Sequence, residues 1–362
     1  MTSNRTMTSR ASIFTRLGDY GYFAIGGAIF IALLFAFVFI QGGYLLTVMQ
    51  LAMIYGLFCV GLNFFMGYTG QASFGQNAFA AIGGYGTAIL CVEYGFEPVV
   101  ALVASMAIAG VISVIVGYPT LRLRGHYLAM ATFALGLITY DLSVQWTSLT
   151  QGYMGYSGIP PLGIGPFTVE DERWKLVCLM VILLFGLWVS GRLRNSRFGR
   201  ALRAISTSEQ GAAALGIRIS QYKLAAFVIA ALYASAAGSL FAHVVGFISP
   251  EVFGLQMVVV TFTMLYVGGI GTVLGPAIGA VIASLLPQIL RSSGRFQDIA
   301  YASILLLLLI YVPKGLSALS GIGRSRPVRS STSDADQARP LVSDGRVGSD
   351  CDMPAPQART GS

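Results

Sequence analysis

Two clusters of residues carry most of the chemistry this sequence offers. The first runs from Asn195 to Ile217 and reads NSRFGRALRAISTSEQGAAALGI. Ser206 and Glu209 stand at the spacing where a hydroxyl and a carboxylate each satisfy an orphan amide at a helix start. Ala212, Ala213 and Ala214 supply helix propensity without bulk, and Gly216 can take the left-handed conformation that ends a helix. Six arginines from Arg192 to Arg218 flank this stretch. A small-residue helix so placed suits insertion into a groove on a soluble partner, and an ordinary amphipathic connector helix has the same pattern. The second cluster is Gly70, Ser73, Gly75, Gln76 and Asn77, at the opening of an apolar run. Short polar side chains among glycines can solvate a polar solute on its way through a membrane, and they can equally hydrogen-bond between helices.

Other chemistries lack their residues. The two histidines, His126 and His243, have no partner at the spacing of a metal site or a catalytic pair. Cys59, Cys91, Cys178 and Cys351 form no C-x-x-C pair. A Walker phosphate loop needs Gly-Lys-Ser/Thr, and none of the three lysines, Lys175, Lys223 and Lys314, follows Gly or precedes Ser or Thr. No catalytic residue, metal or cofactor is expected in the chain, and any ATP would have to be used by another subunit. Ion-coupled carriers place ionisable or unwound polar groups near the membrane midplane; only Asp141 falls clearly within an expected span, close to its outer end.

The elements that position these clusters follow from composition. Of 362 residues 55% are hydrophobic and 10% charged, against about 25% charged in a soluble domain, and the mean hydropathy is +0.71. Lipid is therefore the main solvent. At about 20 apolar residues per crossing, spans are expected over 22–40, 45–65, 72–92, 98–116, 127–146, 174–190, 223–245, 255–267, 276–290 and 299–312. The fold class is all-α integral membrane, with about ten transmembrane helices. The first run lacks a small-residue cleavage site and reads as an uncleaved span. The eighth and ninth runs are short and separated by Gly268-Gly269-Ile270-Gly271-Thr272-Val273-Leu274-Gly275. They and the Gly70–Asn77 stretch are expected to be broken or re-entrant helices, or sites of close helix packing.

The net charge of +8 lies in short clusters between apolar runs, a topology signal rather than a nucleic-acid surface. With both ends in the cytoplasm, all basic residues except Arg173, Lys175, Arg291 and Arg295 face inside, as the positive-inside rule requires. The organisation expected is a cytoplasmic segment 1–21, a transmembrane domain 22–317 with an external loop 147–173 and a cytoplasmic loop 191–222, and a disordered cytoplasmic tail 318–362.

The stretch SRFGRALRAISTSEQGAAALGIRISQYKLAAFVIAALYASAAGSLFAHVVGFISPEVFG (196–254) closely resembles the cytoplasmic loop and following span of permeases of branched-chain (hydrophobic) amino acid ABC importers. GLNFFMGYTGQASFGQNAFAAIGGY (61–85) and VGGIGTVLGPAIGA (267–280) agree, and the likeness covers roughly residues 45–315. Two places depart from it: Gly75-Gln76 stands where members commonly have Gly-His, and Thr150-Gln151-Gly152 where they have Thr-Gly-Gly. The resemblance implies a bacterial inner-membrane subunit working with a second homologous permease, two cytosolic ATPase subunits that hold ATP and magnesium, and an extracytoplasmic substrate-binding protein. It implies that Glu209, Ala212, Ala213, Leu215 and Gly216 form the coupling helix that docks into the ATPase. The cargo implied is a branched-chain or related amino acid, with amides or urea as further members of the class. An ion-coupled secondary carrier or a channel for a small solute is the alternative that hydropathy alone leaves open, and an integral-membrane enzyme would need clustered acids or histidines that are absent.

Overall fold

The computed structural model describes residues 43–123, 125–164, 167–169, 171–290 and 303. The expected spans at 22–40 and, apart from residue 303, at 299–312 lie outside the described residues, as do the segments 1–21 and 318–362. The other eight expected spans are helical: α1 (Tyr44–Thr69), α2 (Gln76–Val92), α3 (Pro98–Thr120), α4 (His126–Gln145), α5 (Glu172–Asn195), α8 (Ile219–Val245), α9 (Leu255–Gly268) and α10 (Gly275–Ile289). Between α5 and α8 lie α6 (Arg197–Thr207) and α7 (Glu209–Ala214). Five of these, α1, α3, α4, α5 and α8, are long and apolar enough to cross a membrane.

Burial is arranged for lipid. α1 is apolar on every side, so no face of it prefers water, and it is enclosed by α5, α8 and α10. α3 buries only small residues at helical spacing, Ala101, Ser105, Ala109, Ser113 and Gly117, and turns Val103, Ile108, Val111, Val114 and Ile115 outward. In water the large side chains would be the ones buried; in lipid they lose nothing by exposure, and the small ones let backbones approach. The crossing of α2 and α8 shows this at its tightest. A Cβ on Gly83 would lie 2.2 Å from the Ser235 carbonyl oxygen, and one on Gly238 would lie 2.0 Å from that of Ala80. Beside this crossing the hydroxyls of Thr87, Ser105 and Ser239 bond to one another at 2.8–3.0 Å, joining α2, α3 and α8.

The glycine run after α9 is a tight turn that lets two short helices pack closely. Asn63 of α1 pins the turn from both sides, donating through Nδ2 to the Thr272 carbonyl at 2.7 Å and accepting from the Gly271 amide at 2.8 Å. α9 and α10 then run back to back, with no room for a Cβ on Gly268 or Gly279.

The break lies upstream. α8 ends at Gly246, whose φ of 71° gives a left-handed cap. Phe247–Ile248 (β4) pairs antiparallel with Tyr156–Ser157 (β1), in register Tyr156 to Ile248. The chain then follows α2: Ile248 and Phe253 press on Gly84, and the Phe253 carbonyl accepts from Asn77 Nδ2 at 2.8 Å. Extended and 3₁₀ backbone thus runs beside the first half of α2 before α9 begins. α9 has only 14 residues and α2 only 17, about 21 and 25 Å, each short of a 30 Å hydrocarbon core. Sequence patterning placed both helices; of the alternatives it left open, 70–75 is unwound and Gly268 and Gly279 are sites of close packing, while the break before α9 was not singled out.

The loop at the opposite end from α7 is held by side chains. Gln50 Nε2 donates to Glu172 at 2.7 Å, Asp171 caps α5, and the single Tyr156 hydroxyl proton is shared between Glu93 at 2.5 Å and the Leu149 carbonyl at 2.8 Å. A short antiparallel pair, Gly163–Ile164 (β2) with Phe167–Thr168 (β3), completes it.

Candidate functional site

The loop 191–222 folds as two helices. α6 buries Gly199, Ala201, Leu202 and Ile205 and exposes Arg197, Arg200 and Arg203 on the other side. It stops at Thr207, and the cap of α7 is Ser208, whose Oγ accepts from the Gly211 amide at 3.1 Å. Ser206, the residue expected to cap, instead donates to the Arg203 carbonyl; Glu209 as the first helical residue still brings an acid to the positive end of the helix. The other end closes as read from sequence. Gly216 has φ 78°, its amide bonds to the Ala213 carbonyl and the Ile217 amide to that of Ala212, the paired bonds of a Schellman motif.

The five residues expected to couple divide between two sides. Ala213, Leu215 and Gly216 are exposed, Leu215 by 80%, whereas Ala212 is buried and Glu209 turns toward the bundle. Glu209 Oε1 accepts from Lys223 Nζ at 2.6 Å and from Gln71 Nε2 at 3.0 Å. Lys223, at the root of α8, is only 3% exposed. One carboxylate therefore fastens α7 both to α8 and to the unwound segment before α2. Sequence reading missed Lys223 and Gln71 as partners; the signal available was that Lys223 is one of three lysines and sits within an otherwise apolar helix.

That unwound segment carries the second cluster. Gly70 caps α1 against Ser206, the Phe74 amide bonds to Thr132 Oγ1 at 3.1 Å, and Gly75 lies flat on the Thr132 carbonyl. Ser73, Gln76 and Asn77 are all buried, and Ser73 Oγ, both polar atoms of Gln76 and Asn77 Oδ1 have no hydrogen-bond partner. Unpaired buried polar atoms are costly and call for an explanation. Asn77 lines a cavity of about 410 Å³ between α2, α4 and the 250–258 stretch, with Tyr140, Glu251, Gly254 and Gln256 among the walls and Phe74, Phe133 and Leu137 on the apolar side. A second cavity of about 550 Å³ shares Phe74, Phe133, Leu255 and Val258 and continues between α4 and α9 past Phe262 to His126 and Tyr266. Phe74 stacks on Phe262 with ring centres 4.5 Å apart where the two meet. Glu251 and Tyr140 were not singled out from sequence, because nothing in their local pattern marks the fold-back that brings them to Asn77. Among the described residues no three His, Cys, Asp or Glu stand together as a metal site.

Long apolar helices around a part-polar, part-apolar cavity define a multi-pass membrane protein. A family model described as branched-chain amino acid transport system / permease component matches residues 44–312, and the chain belongs to that family. It is 31% identical over 290 residues to the high-affinity branched-chain amino acid transport system permease protein LivM of Escherichia coli (strain K12), covering 74% of this chain and 68% of LivM. The permease protein LivH of the corresponding system in Salmonella typhimurium is 27% identical over 283 residues, covering 72% of this chain and 90% of LivH. The autoinducer 2 import system permease protein LsrC of Escherichia coli O9:H4 (strain HS) is 28% identical over 203 residues, covering 50% and 59%.

Proposed function

We propose that this chain is one of two related permeases in an ATP-driven importer of branched-chain or related hydrophobic amino acids, energised by two separate ATPase subunits and fed by an extracytoplasmic binding protein. The observation that carries the reading is α7: a capped, six-residue helix with an exposed Leu215 tip, tied by Glu209 to the bundle. An exposed leucine at the end of a small-residue helix suits a hydrophobic groove on another protein, and the tie passes its displacement to α8 and to the Gln71–Asn77 segment. Ser73, Gln76 and Asn77, with Gly70 and Gly75, line or brace the route for the cargo. Ten spans, N- and C-termini inside, and the boundaries 1–21, 22–317 and 318–362 complete the topology, with the loop 147–173 outside as part of the binding protein's dock. ATP is bound by the partners, since this chain offers no Gly-Lys-Ser/Thr.

The test is affinity purification of the tagged chain from gently solubilised membranes, with subunit identification and an ATPase assay. Recovery of a second permease and two P-loop subunits, with hydrolysis stimulated by an amino-acid-loaded binding protein, is the expected result. Recovery of the chain alone, taking up solute in response to an ion gradient, refutes it.

A further inference from the structure

The 410 Å³ cavity is an open groove where two helices begin. α2 starts at Gln76 behind Gly75, and α9 starts at Leu255 behind Gly254, and neither start has a side-chain cap. Each therefore leaves first-turn amides without an intrahelical partner, the positive end of a helix dipole. Residues of both first turns, Asn77 and Leu255, line the same cavity. Discontinuous helices that aim their amino ends into a central cavity present donors to an anionic group.

Acceptors face the same space. Asn77 is 4% exposed and its Oδ1 has no partner. That oxygen lies 2.6 Å from where a Cβ on Gly136 would stand, and Gly136 is itself a wall of the cavity. The Glu251 carboxylate lines the cavity as well and makes no hydrogen bond or ion pair among the described residues. One cavity thus offers amide donors for a negative end, a carboxylate and an amide oxygen for a positive end, and aromatic walls that continue into the second, apolar cavity.

We infer that this cavity is a binding site for an α-amino acid zwitterion: the helix starts of α2 and α9 receive the carboxylate, Glu251 and Asn77 Oδ1 receive the ammonium, and the apolar extension past Phe74 takes the side chain. The inference rests on the importer reading, and it names residues outside the cluster read from sequence. It also explains why Asn77 is left half-bonded: Nδ2 is spent on holding Phe253, which fixes the break in place, and Oδ1 is kept for cargo.

The test uses the assembled importer with its ATPases and binding protein in proteoliposomes, measuring radiolabelled L-leucine taken up per ATP hydrolysed. Glu251→Gln removes the charge without changing shape, and its exposed side chain holds nothing together, so the variant folds. Loss of one hydrogen bond to a charged group predicts about a tenfold or larger fall in leucine per ATP. Asn77→Leu removes the amide oxygen together with the bond to Phe253 and should lose uptake. Wild-type leucine-to-ATP ratios in both Glu251→Gln and Asn77→Leu overturn the site while leaving the importer intact. No ATP-driven uptake by the wild-type assembly overturns the importer reading and the site with it.

Discussion

Cutting the Glu209 tie is the sharpest perturbation available. In Glu209→Ala the Lys223 ammonium, 3% exposed, loses its partner at 2.6 Å, and Gln71 loses its acceptor. Breaking a fully buried pair from one side costs about 3–5 kcal/mol, because a charge is left without water or partner, whereas an exposed pair is worth about 0–1 kcal/mol. The Glu209 side chain is 28% exposed, so water enters where it leaves, and a cost of about 2 kcal/mol follows. Lys223→Met removes the buried charge along with the bond and leaves a carboxylate that water reaches and Gln71 still holds; it should cost about 1 kcal/mol or less. The two variants are therefore unequal, and Glu209→Gln with Lys223→Met together should sit closer to wild type than Glu209→Ala alone. Thermal unfolding of the detergent-solubilised assembly reads the stability, and the stimulation of ATP hydrolysis by loaded binding protein reads the coupling. Glu209→Ala should keep basal hydrolysis and lose most of the stimulation. Additive costs in the Glu209/Lys223 cycle, with an interaction energy below about 0.5 kcal/mol, and undiminished stimulation would refute the tie as a working link.

Leu215→Glu places a charge on the exposed tip of α7 and should abolish recovery of the ATPase subunits with the tagged chain while leaving the melting temperature within a few degrees; equal recovery would remove α7 from the interface. Gly216→Val forces a β-branched residue to φ 78°, at a cost of about 1–2 kcal/mol in the cap, and should weaken the same recovery without ejecting the chain from the membrane. Gly238→Leu puts a side chain where even a Cβ would meet the Ala80 carbonyl at 2.0 Å; size-exclusion chromatography in mild detergent should show no monodisperse protein, and a normal profile would contradict the close crossing of α2 and α8. In the loop, burial first, then the hydrogen bond to Glu93 and its charge, push the Tyr156 hydroxyl from 10 up to about 12. The folded state holds this proton more tightly, so the contribution is complete below about pH 10 and fades as pH rises toward 12; Tyr156→Phe should show a shallower loss of stability across that window than wild type.

What sequence alone disclosed follows from which interactions are local. The spans at 98–116, 127–146 and 223–245 were legible because hydropathy over some twenty residues is set by the solvent, and lipid admits little besides helix. Gly216 was legible because a left-handed cap depends on a residue and its next few neighbours. Ser206 against Ser208 was not, since both satisfy the short-range capping rule and the choice turns on where α6 must stop to bury Leu202 and Ile205. The tie of Glu209 to Lys223 and Gln71 spans 14 and 138 residues, and no periodicity links them.

The break before α9, which the sequence reading did not single out, is the most instructive difference. Residues 268–275 carry more glycine than 246–254, so a reading that weighs breaker residues favours the former. Which glycines break a span at depth is decided by what surrounds them. Asn63 supplies the donor and acceptor that the 271–272 turn needs, so that turn stays tight. The 246–254 stretch is instead paired with Tyr156–Ser157 and held by Asn77, so its backbone is satisfied while extended and can run inward beside α2. A non-helical segment is permitted at depth only under such cover. The cover comes from residues about 90 and 176 positions away in the chain, and the same fold-back that satisfies the backbone is what carries Glu251 and the start of α9 to the cavity. The features that made this site unreadable in sequence are thus the ones that build it.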